Sequence, residues 1–186
     1  ILGNFQNAYQ EAYLHMMKTK IGLYETDVND IILIQELENI LTLQEIDMTL
    51  FYRQLGNLFT QTNEIDFKTF STLIESAFYT LNDLKAHQPA WKNWFQLYQN
   101  RLQKETLTPT ERKQRMDAVN PRYVLRNYMA QLAIDDAEKG DFNLVNELFE
   151  MLKNPYDEQP QFEKWYAKRP DWAKNKVGCS QLSCSS

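Results

Sequence analysis

Apolar residues recur at three- and four-residue spacing along nearly the whole chain, and this helical period constrains the fold more than any other feature. Only five glycines and six prolines interrupt the 186 residues, which leaves room for long regular elements. The first segment shows the pattern at Phe5, Tyr9, Ala12, Tyr13 and Met16. The sequence therefore predicts an all-α fold, an irregular helical bundle of about seven to nine helices with a flexible C-terminal tail.

Capping residues and helix breakers place the helix ends in the first half of the chain. Gly22 ends the first helix, Asp27 or Asn29 begins the second, and Asp47 caps the third. The predicted inward residues of the second and third helices are Ile31, Ile34, Leu37, Ile40, Leu41, Phe51, Leu55, Leu58 and Phe59. Residues 63–83 are also predicted to be helical, although their β-branched and aromatic residues leave a strand as the alternative.

The second half repeats this pattern. Pro89 begins a helix whose regularly spaced core residues are Trp91, Trp94, Phe95, Tyr98 and Leu102. Thr108 and Glu111 have the spacing of a capping box. Asn120 and Pro121 are predicted to open the longest helix, which runs to about Lys139 and ends at Gly140. Its predicted buried residues are Val124, Leu125, Tyr128, Met129, Leu132 and Ala133. Asp141 caps the next helix, Pro155 stops it, and a short helix is expected near 161–167.

Charge and composition narrow the function. A net charge of −5 and a pI of about 5.1 argue against general nucleic-acid binding. Residues 101–126 hold seven basic and three acidic side chains, which could face an acidic partner or form an ordinary solvated helix face with intrachain pairs. No stretch approaches the ~20 apolar residues of a membrane span, and no signal peptide is recognised. Because the chain opens without Met and runs at once into a helical pattern, we expect it to be a piece of a longer protein.

No self-contained catalytic or metal site is predicted in this chain. His15 and His87 have no partner at metal-ligand spacing, so surface or capping roles are expected for them. The neighbouring carboxylates Asp135 and Asp136 point in different directions on a helix, and so do Glu36 and Glu38. The glycines are too scattered for a phosphate-binding loop. We therefore expect neither catalytic residues nor a bound cofactor or metal on these residues.

The only two cysteines, Cys179 and Cys184, lie at the C-terminal end. Two cysteines cannot cross-link a domain of this size, which favours a reducing compartment. Terminal segments are usually the least ordered part of a domain, so a thiol here has reach. Two interpretations stay open, namely a mobile thiol that pairs with a cysteine elsewhere and an inert tail thiol.

Several long stretches resemble the C-terminal end of the selenoprotein O family. The strongest is "NPRYVLRNYMAQLAIDDAEKGDFNLVNELFEMLKNPYDEQP", beginning at Asn120. The others are "YLHMMKTKIGL", "TLFYRQL", "WFQLYQNRLQKE", "RPDWA" and the terminal "SCSS". The resemblance covers essentially the whole chain and is strongest from Asn120 to Ser186.

This resemblance implies that the parent protein is a protein adenylyltransferase. Such proteins have a kinase-like lobe that binds ATP and Mg²⁺ and transfers AMP to Ser, Thr or Tyr of target proteins. The motifs for this chemistry lie in the larger N-terminal part of family members, and none of them matches this chain. The resemblance therefore implies that residues 1–173 are a helical C-terminal region that buttresses the kinase-like lobe. Residues 174–186 would then be a flexible tail that contains the cysteines.

The resemblance also assigns a role to the tail. Cys184 occupies the position where some family members carry selenocysteine, and pairing with a thiol of the catalytic part is implied. The spacing of Cys179 and Cys184 departs from the CxxU pair of such members, which puts an internal couple in doubt. Both cysteines are retained as redox candidates.

The implied partners are the N-terminal kinase-like lobe and the protein substrates of the parent, with no nucleic acid and no membrane. A cytoplasmic location is implied for a bacterial-type member and a mitochondrial one for eukaryotic relatives. The alternative is a non-catalytic helical protein-interaction module in which the cysteines are incidental. A large exposed apolar patch on the first three helices would indicate that a missing lobe covers it, whereas a polar surface with one compact groove would favour independent recruitment.

Overall fold

A computed structural model describes residues 2–58 and 65–179, and the regular elements in these ranges are helices, as the periodicity predicts. The described ranges contain nine α-helices: α1 Leu2–Lys20, α2 Asp30–Thr42, α3 Met48–Leu55, α4 Phe67–Ile74, α5 Leu81–Ala86, α6 Gln88–Leu102, α7 Pro109–Val119, α8 Asn127–Ala137 and α9 Asn143–Leu152. Three short 3₁₀ helices span Glu75–Ala77, Pro160–Trp165 and Asp171–Ala173. The predicted all-α class is confirmed.

The chain divides into two compact units, Ile1–Asn120 and Pro121–Ser186. The first unit contains α1 to α7, and the second contains α8, α9 and the last two 3₁₀ helices. The sequence pattern does not indicate this division. Each unit has its own buried core, as described below.

The core of the first unit is built around α6. The rings of Trp91, Trp94 and Tyr98 are fully or almost fully buried, so the aromatic residues of this helix are core as predicted. Phe70 stacks on Phe95 with ring centroids 4.4 Å apart, and Trp94 stacks on Tyr98 at 4.9 Å. Two polar groups of these aromatic side chains donate to backbone carbonyls that are distant in sequence. The Tyr98 hydroxyl donates to the Ile21 carbonyl at 2.7 Å, and Trp94 Nε1 donates to the Leu33 carbonyl at 3.0 Å.

Gly22 ends α1 and fixes how the chain leaves it. Its φ of +75° lies in the left-handed region that side chains disfavour. A Cβ atom built there would lie 2.6 Å from Met116 Sδ and 2.9 Å from Arg112 Cδ, both on α7. The glycine therefore allows both the turn and the close packing of the α1 end against α7.

The second unit closes around α8 and α9. Its buried residues are Tyr123, Tyr128, Met129, Ala133, Leu148, Met151, Ala173 and Cys179. The Tyr123 hydroxyl donates to the Gln159 carbonyl at 2.9 Å. The Gln159 side-chain amide in turn donates to the carbonyl of Met151 at the end of α9, also at 2.9 Å. These bonds tie the segment before α8 to the segment after α9.

Several helix boundaries agree with their capping signals. Asp47 accepts a hydrogen bond from the Leu50 amide at 3.0 Å, as expected of an N-cap. The capping box at α7 is complete, because the Thr108 hydroxyl accepts from the Glu111 amide at 3.2 Å and Glu111 Oε2 accepts from the Thr108 amide at 3.0 Å. The N-cap of α2 is Asn29, without a side-chain capping bond.

The helix predicted to open at Asn120 and Pro121 begins instead at Asn127 and ends at Ala137. The predicted start was wrong, because residues 121–126 are not helical. The amides of Arg122 and Tyr123 both donate to the Pro155 carbonyl, at 2.8 and 3.0 Å, and these bonds fix the segment against residues that follow α9. Among the described helices the longest is α1, with 19 residues.

Smaller differences follow α8. The N-cap of α9 is Phe142 rather than Asp141, whose carboxylate accepts from the Asn143 amide at 2.9 Å. A 3₁₀ helix at Pro160–Trp165 stands where a short helix over 161–167 was expected.

Burial within the predicted faces is mixed. In α2 and α3 the expected residues are buried except Ile31, which is exposed, and Phe59, which lies outside the described residues. Before and within α8, Tyr128, Met129 and Ala133 are buried and Val124 and Leu132 are half-buried. Leu125 is 53% exposed, so its predicted burial is wrong. It precedes α8, and its side chain does not follow the helical register on which the prediction depended.

A candidate interaction surface on the first unit

An aromatic row follows one exposed face of α1. Phe5 and Tyr9 are 68% and 60% exposed, although both are large apolar side chains. Their rings stack with centroids 6.4 Å apart, and Tyr9 stacks on Tyr13 at 6.2 Å. This follows from the helical repeat, which places residues four apart one above the other. The spacing that predicts helix α1 thus produces an apolar face that other helices of its unit leave uncovered.

The row leads into a groove that we call the α1 groove. It is an open cleft of about 690 Å³ lined by Tyr13, Met16, Met17, Lys20, Glu38, Leu41, Thr42, Gln44, Glu45, Ile46, Met48 and Tyr52. Met16 and Met48 are both exposed. Methionine side chains are flexible and polarisable, so a methionine-rich groove can adapt its shape to an apolar ligand surface.

The polar side chains of the α1 groove include one lysine, Lys20, and two carboxylates, Glu38 and Glu45. Lys20 Nζ lies 4.6 Å from the centroid of the Tyr52 ring. Partial burial lowers the pKa of Lys20. Burial, with a contribution from the nearby Glu38 charge, raises the pKa of Tyr52 to about 12, so this hydroxyl stays neutral at physiological pH. One acceptor is unused, because Gln44 Oε1 is buried without a hydrogen-bond partner.

Taken together, the row and the groove fit a partner element that is apolar on one side. An amphipathic helix is the secondary structure that most often occupies such a groove, with anchors at three- and four-residue spacing. A continuous exposed apolar face is unusual on a monomeric protein and marks an interaction surface. The arrangement offers binding and no chemistry.

Most basic side chains of segment 101–126 that lie in the first unit contact acidic or aromatic side chains of the same unit. Within the first unit the ion pairs are Arg101 with Asp30 and Glu105, Lys104 with Asp27, and Lys113 with Asp117. Arg115 lies over the ring of Tyr24, 5.0 Å from its centroid. The structure therefore favours the simpler of the two interpretations, a helix face with intrachain pairs.

Only one of the two predicted redox cysteines lies within the described residues. Cys179 is buried in the second unit, with 4% of its surface exposed. Cys184 lies outside the described residues. The redox role of both stays a prediction.

The remaining candidates are held apart. Asp135 bonds to Gln131 and Lys176, whereas its neighbour Asp136 pairs with Lys139. Over the described part of the chain, no three His, Cys, Asp or Glu side chains are grouped to hold a metal ion. None of the helices described is both long and apolar enough to cross a bilayer.

The apolar residues of α1 were predictable from the sequence, but their exposure as an interaction surface was not. The available signal was that the stripe of Phe5, Tyr9 and Tyr13 is almost purely aromatic. Periodicity alone cannot tell a stripe that is covered by a neighbouring helix from one that is not.

Comparison with known proteins adds the family. A sequence model described as protein adenylyltransferase SelO matches residues 1–153. The chain is 48% identical over 187 residues to a protein nucleotidyltransferase YdiU of Flavobacterium johnsoniae. It is 43% identical over 188 residues to the protein of the same name from Rhodopirellula baltica, and 41% identical over 182 residues to that from Aromatoleum aromaticum.

These alignments cover 96–100% of this chain but only 34–35% of each relative. The chain thus spans about a third of the length of the curated relatives it matches. The match over residues 1–153 extends across most of the chain, and the identities are far above 30%. The chain belongs to the protein adenylyltransferase SelO family.

Proposed function

We propose that this chain is the C-terminal helical part of a protein adenylyltransferase and that its α1 groove packs against the remaining part of the same protein. The whole protein would transfer AMP from ATP to Ser, Thr or Tyr of target proteins. The role of this part is to buttress the catalytic lobe. Family membership and the fraction of each relative that is matched support this proposal.

The observation that carries the proposal is the exposed aromatic row with the adjoining groove. A large exposed apolar patch on the first three helices is the expected sign of a covering lobe. Phe5, Tyr9, Met16 and Met48 form such a patch by their exposure. Burying apolar area contributes roughly 25 cal/mol per Å², so a lobe that covers these side chains would stabilise the assembled protein.

ATP and Mg²⁺ belong to the proposed whole protein, and the described residues of this chain do not fit either of them. No carboxylate group is arranged for a divalent cation in the described ranges. The glycines with positive φ, Gly22, Gly140 and Gly178, lie far apart in sequence and cannot form one phosphate-binding loop. The residues of this chain therefore support and position other parts, and no step of AMP transfer is assigned to them.

The proposal includes a redox-responsive tail in which Cys184 pairs with a thiol of the catalytic part. It is supported by the resemblance that places Cys184 where some family members carry selenocysteine. A reducing compartment, the cytoplasm of a bacterium, is proposed from the bacterial relatives and from the small number of cysteines.

Binding between separated parts tests the buttressing role. The chain is mixed with the Flavobacterium johnsoniae relative from which the matching third has been deleted, and association is measured by isothermal titration calorimetry. Tyr9→Asp and Met16→Asp should each weaken binding by about tenfold or more, because a charge would be buried against apolar surface. Ile32→Asp is the matched control, since Ile32 is similarly exposed and does not line the α1 groove.

The buttress and the interaction module predict different results in this binding experiment. Weakening by Tyr9→Asp and Met16→Asp, with Ile32→Asp unaffected, supports the buttress. If the unmodified chain does not bind the deleted relative, the buttress is wrong and the interaction-module alternative is favoured. Equal weakening by all three variants would mean that the α1 groove is not the contact surface.

A further inference from the structure

The last described residues of the second unit form a short segment that ends in its core. Residues 174–179, which we call the strap, consist of turns and follow the 3₁₀ helix Asp171–Ala173. The strap begins beside Ala173 and ends at Cys179, and both of these residues are buried in the core of the unit. Between them, Lys174, Asn175, Lys176 and Val177 are exposed. The strap is thus pinned at both ends.

One ion pair joins the middle of the strap to α8. Lys176 Nζ lies 2.8 Å from Asp135 Oδ2. The other carboxylate oxygen of Asp135 accepts from Gln131 Nε2 at 2.6 Å, which orients the carboxylate towards the strap. Hydrogen bonds from Lys176 and Gln131 lower the pKa of Asp135, and the bond to Asp135 raises the pKa of Lys176. Both groups therefore stay charged over a wide range of pH.

The backbone of the strap also lies directly against α8. Gly178 has a φ of +83°, and a Cβ atom built on it would overlap Gln131 Oε1. Glycine adopts this conformation without strain, whereas a side chain here would be strained and would require Gln131 to shift. Lys176 Nζ further lies 5.6 Å from the ring centroid of Trp172, whose ring meets Tyr128 edge-on at 6.1 Å. Three separate contacts thus hold the strap in one position.

We infer that the strap is a closure that shields the Cys179 thiol from solvent reagents, with the Lys176–Asp135 pair and Gly178 as its fastening. Cys179 then serves as an anchor of the chain end, and its thiol reacts only when the strap opens. This shielding does not depend on the proposed AMP transfer or on the α1 groove.

A consequence for Cys184 rests on the proposed redox function. Cys184 is five positions beyond Cys179. A fully extended chain spans at most about 3.6 Å per residue, so the Cα atom of Cys184 can lie no more than about 18 Å from that of an anchored Cys179. Any cysteine that pairs with Cys184 must therefore lie within that distance of the Cys179 Cα atom plus the length of one disulfide bridge.

Alkylation kinetics test the closure. In a Cys184→Ser background Cys179 is the only thiol, and its reaction with iodoacetamide is followed by mass spectrometry under native conditions and in urea. We expect the native rate to be at least about tenfold below the urea rate, because the thiol is buried. Lys176→Met should raise the native rate by up to about fivefold, the usual worth of a partly exposed ion pair. Gly178→Ala should raise it by about tenfold or more, because alanine disfavours positive φ.

Two controls separate strap opening from general unfolding. Lys153→Met removes the exposed Lys153–Glu150 pair on α9 and should leave the alkylation rate unchanged. Met129→Ala lowers the stability of the whole unit from its core, so it shows how much acceleration global unfolding alone produces. Met129→Ala thus relates a loss of thermal stability to an increase in alkylation rate. Lys176→Met should increase the alkylation rate more than this relation gives for its own loss of thermal stability.

Each contrary result overturns a stated part. If native Cys179 reacts as fast as in urea, the strap does not shield it. If Lys176→Met and Gly178→Ala both react at the parent rate, the fastening is wrong. If the acceleration in these variants is fully explained by global stability, the strap does not open as a separate unit, and the inference is wrong.

Discussion

Arg101 Nε lies 2.6 Å from Asp30 Oδ1, joining the end of α6 to the first residue of α2 with both side chains almost fully buried. Arg101 also pairs with Glu105 at 2.7 Å and donates to the Glu25 carbonyl at 2.7 Å. Lys18 reaches the second carboxylate oxygen of Asp30 at 2.9 Å. The carboxylate of Glu105 accepts from the amides of Tyr24 and Glu25 at 2.9 and 3.2 Å. This network fixes the chain between α1 and α2.

Removing one member of this network should destabilise the first unit strongly. Asp30→Asn leaves Arg101 and Lys18 without their shared carboxylate, and breaking a buried pair typically costs about 3–5 kcal/mol. Urea unfolding monitored by circular dichroism measures the change. Asp136→Asn is the surface control, because the exposed Asp136–Lys139 pair should contribute no more than about 1 kcal/mol. Equal losses in the two variants would contradict a structural role of the buried network.

The same network predicts how stability changes with pH. Burial raises the pKa of Asp30, but hydrogen bonds from Arg101, Lys18 and the Asp27 amide outweigh it, so the pKa lies below its ordinary value of 3.8. A lowered pKa in the folded state gives stability that is present above the ordinary value and is lost as the pH falls through the folded value. We expect the unfolding free energy to fall below about pH 4 and to fall less steeply in Asp30→Asn. A variant with the slope of the unmodified chain would exclude Asp30 as a contributor.

Truncation to alanine at two positions near the start of α8 should change the stability by very different amounts. Met129 is fully buried, so Met129→Ala should lower stability by about 2–5 kcal/mol. Leu125 is more than half exposed, so Leu125→Ala should change it by no more than about 0.5 kcal/mol. Thermal melting of both variants decides the matter. Comparable losses would show that Leu125 is buried in solution.

The isolated chain should not turn over ATP. Its described residues offer no metal-ligand group, and its glycines form no phosphate loop. Incubation with labelled ATP, Mg²⁺ and a protein mixture should therefore label nothing. A full-length family member serves as the positive control. Reproducible AMP incorporation by the purified chain would place catalytic residues in it.

In the full-length protein, Cys184 rather than Cys179 should form a crosslink under oxidising conditions. Cys179 is buried in its own unit, and the family resemblance implies the pairing role for Cys184. Cys184→Ser should remove a crosslinked peptide to the catalytic part in mass spectrometry and change transferase activity, while Cys179→Ser should do less. A crosslink that survives Cys184→Ser but vanishes in Cys179→Ser would reverse the assignment.

The sequence by itself determined the helices and most of their ends. Capping at Asp47 and Thr108, and the turn at Gly22, depend on groups within a few residues of one another, so local sequence specifies them. The aromatic core of α6 was also predictable, because its large apolar side chains recur on one helical face. The expectation of no catalytic site was likewise based on local spacing, because no residues stand at metal-ligand or phosphate-loop spacing.

Only the tertiary structure decided which apolar faces are covered. The stripe of Phe5 and Tyr9 has the same period as buried stripes, yet its exposure depends on which helices pack nearby. The segment before α8 is not helical, and its Arg122 and Tyr123 amides donate to the carbonyl of Pro155, more than thirty residues away. Cys179 is buried in the core of the second unit, and the strap that ends at it contacts α8 at Gln131 and Asp135. Each of these outcomes depends on contacts between distant parts of the chain, and a local period carries no information about them.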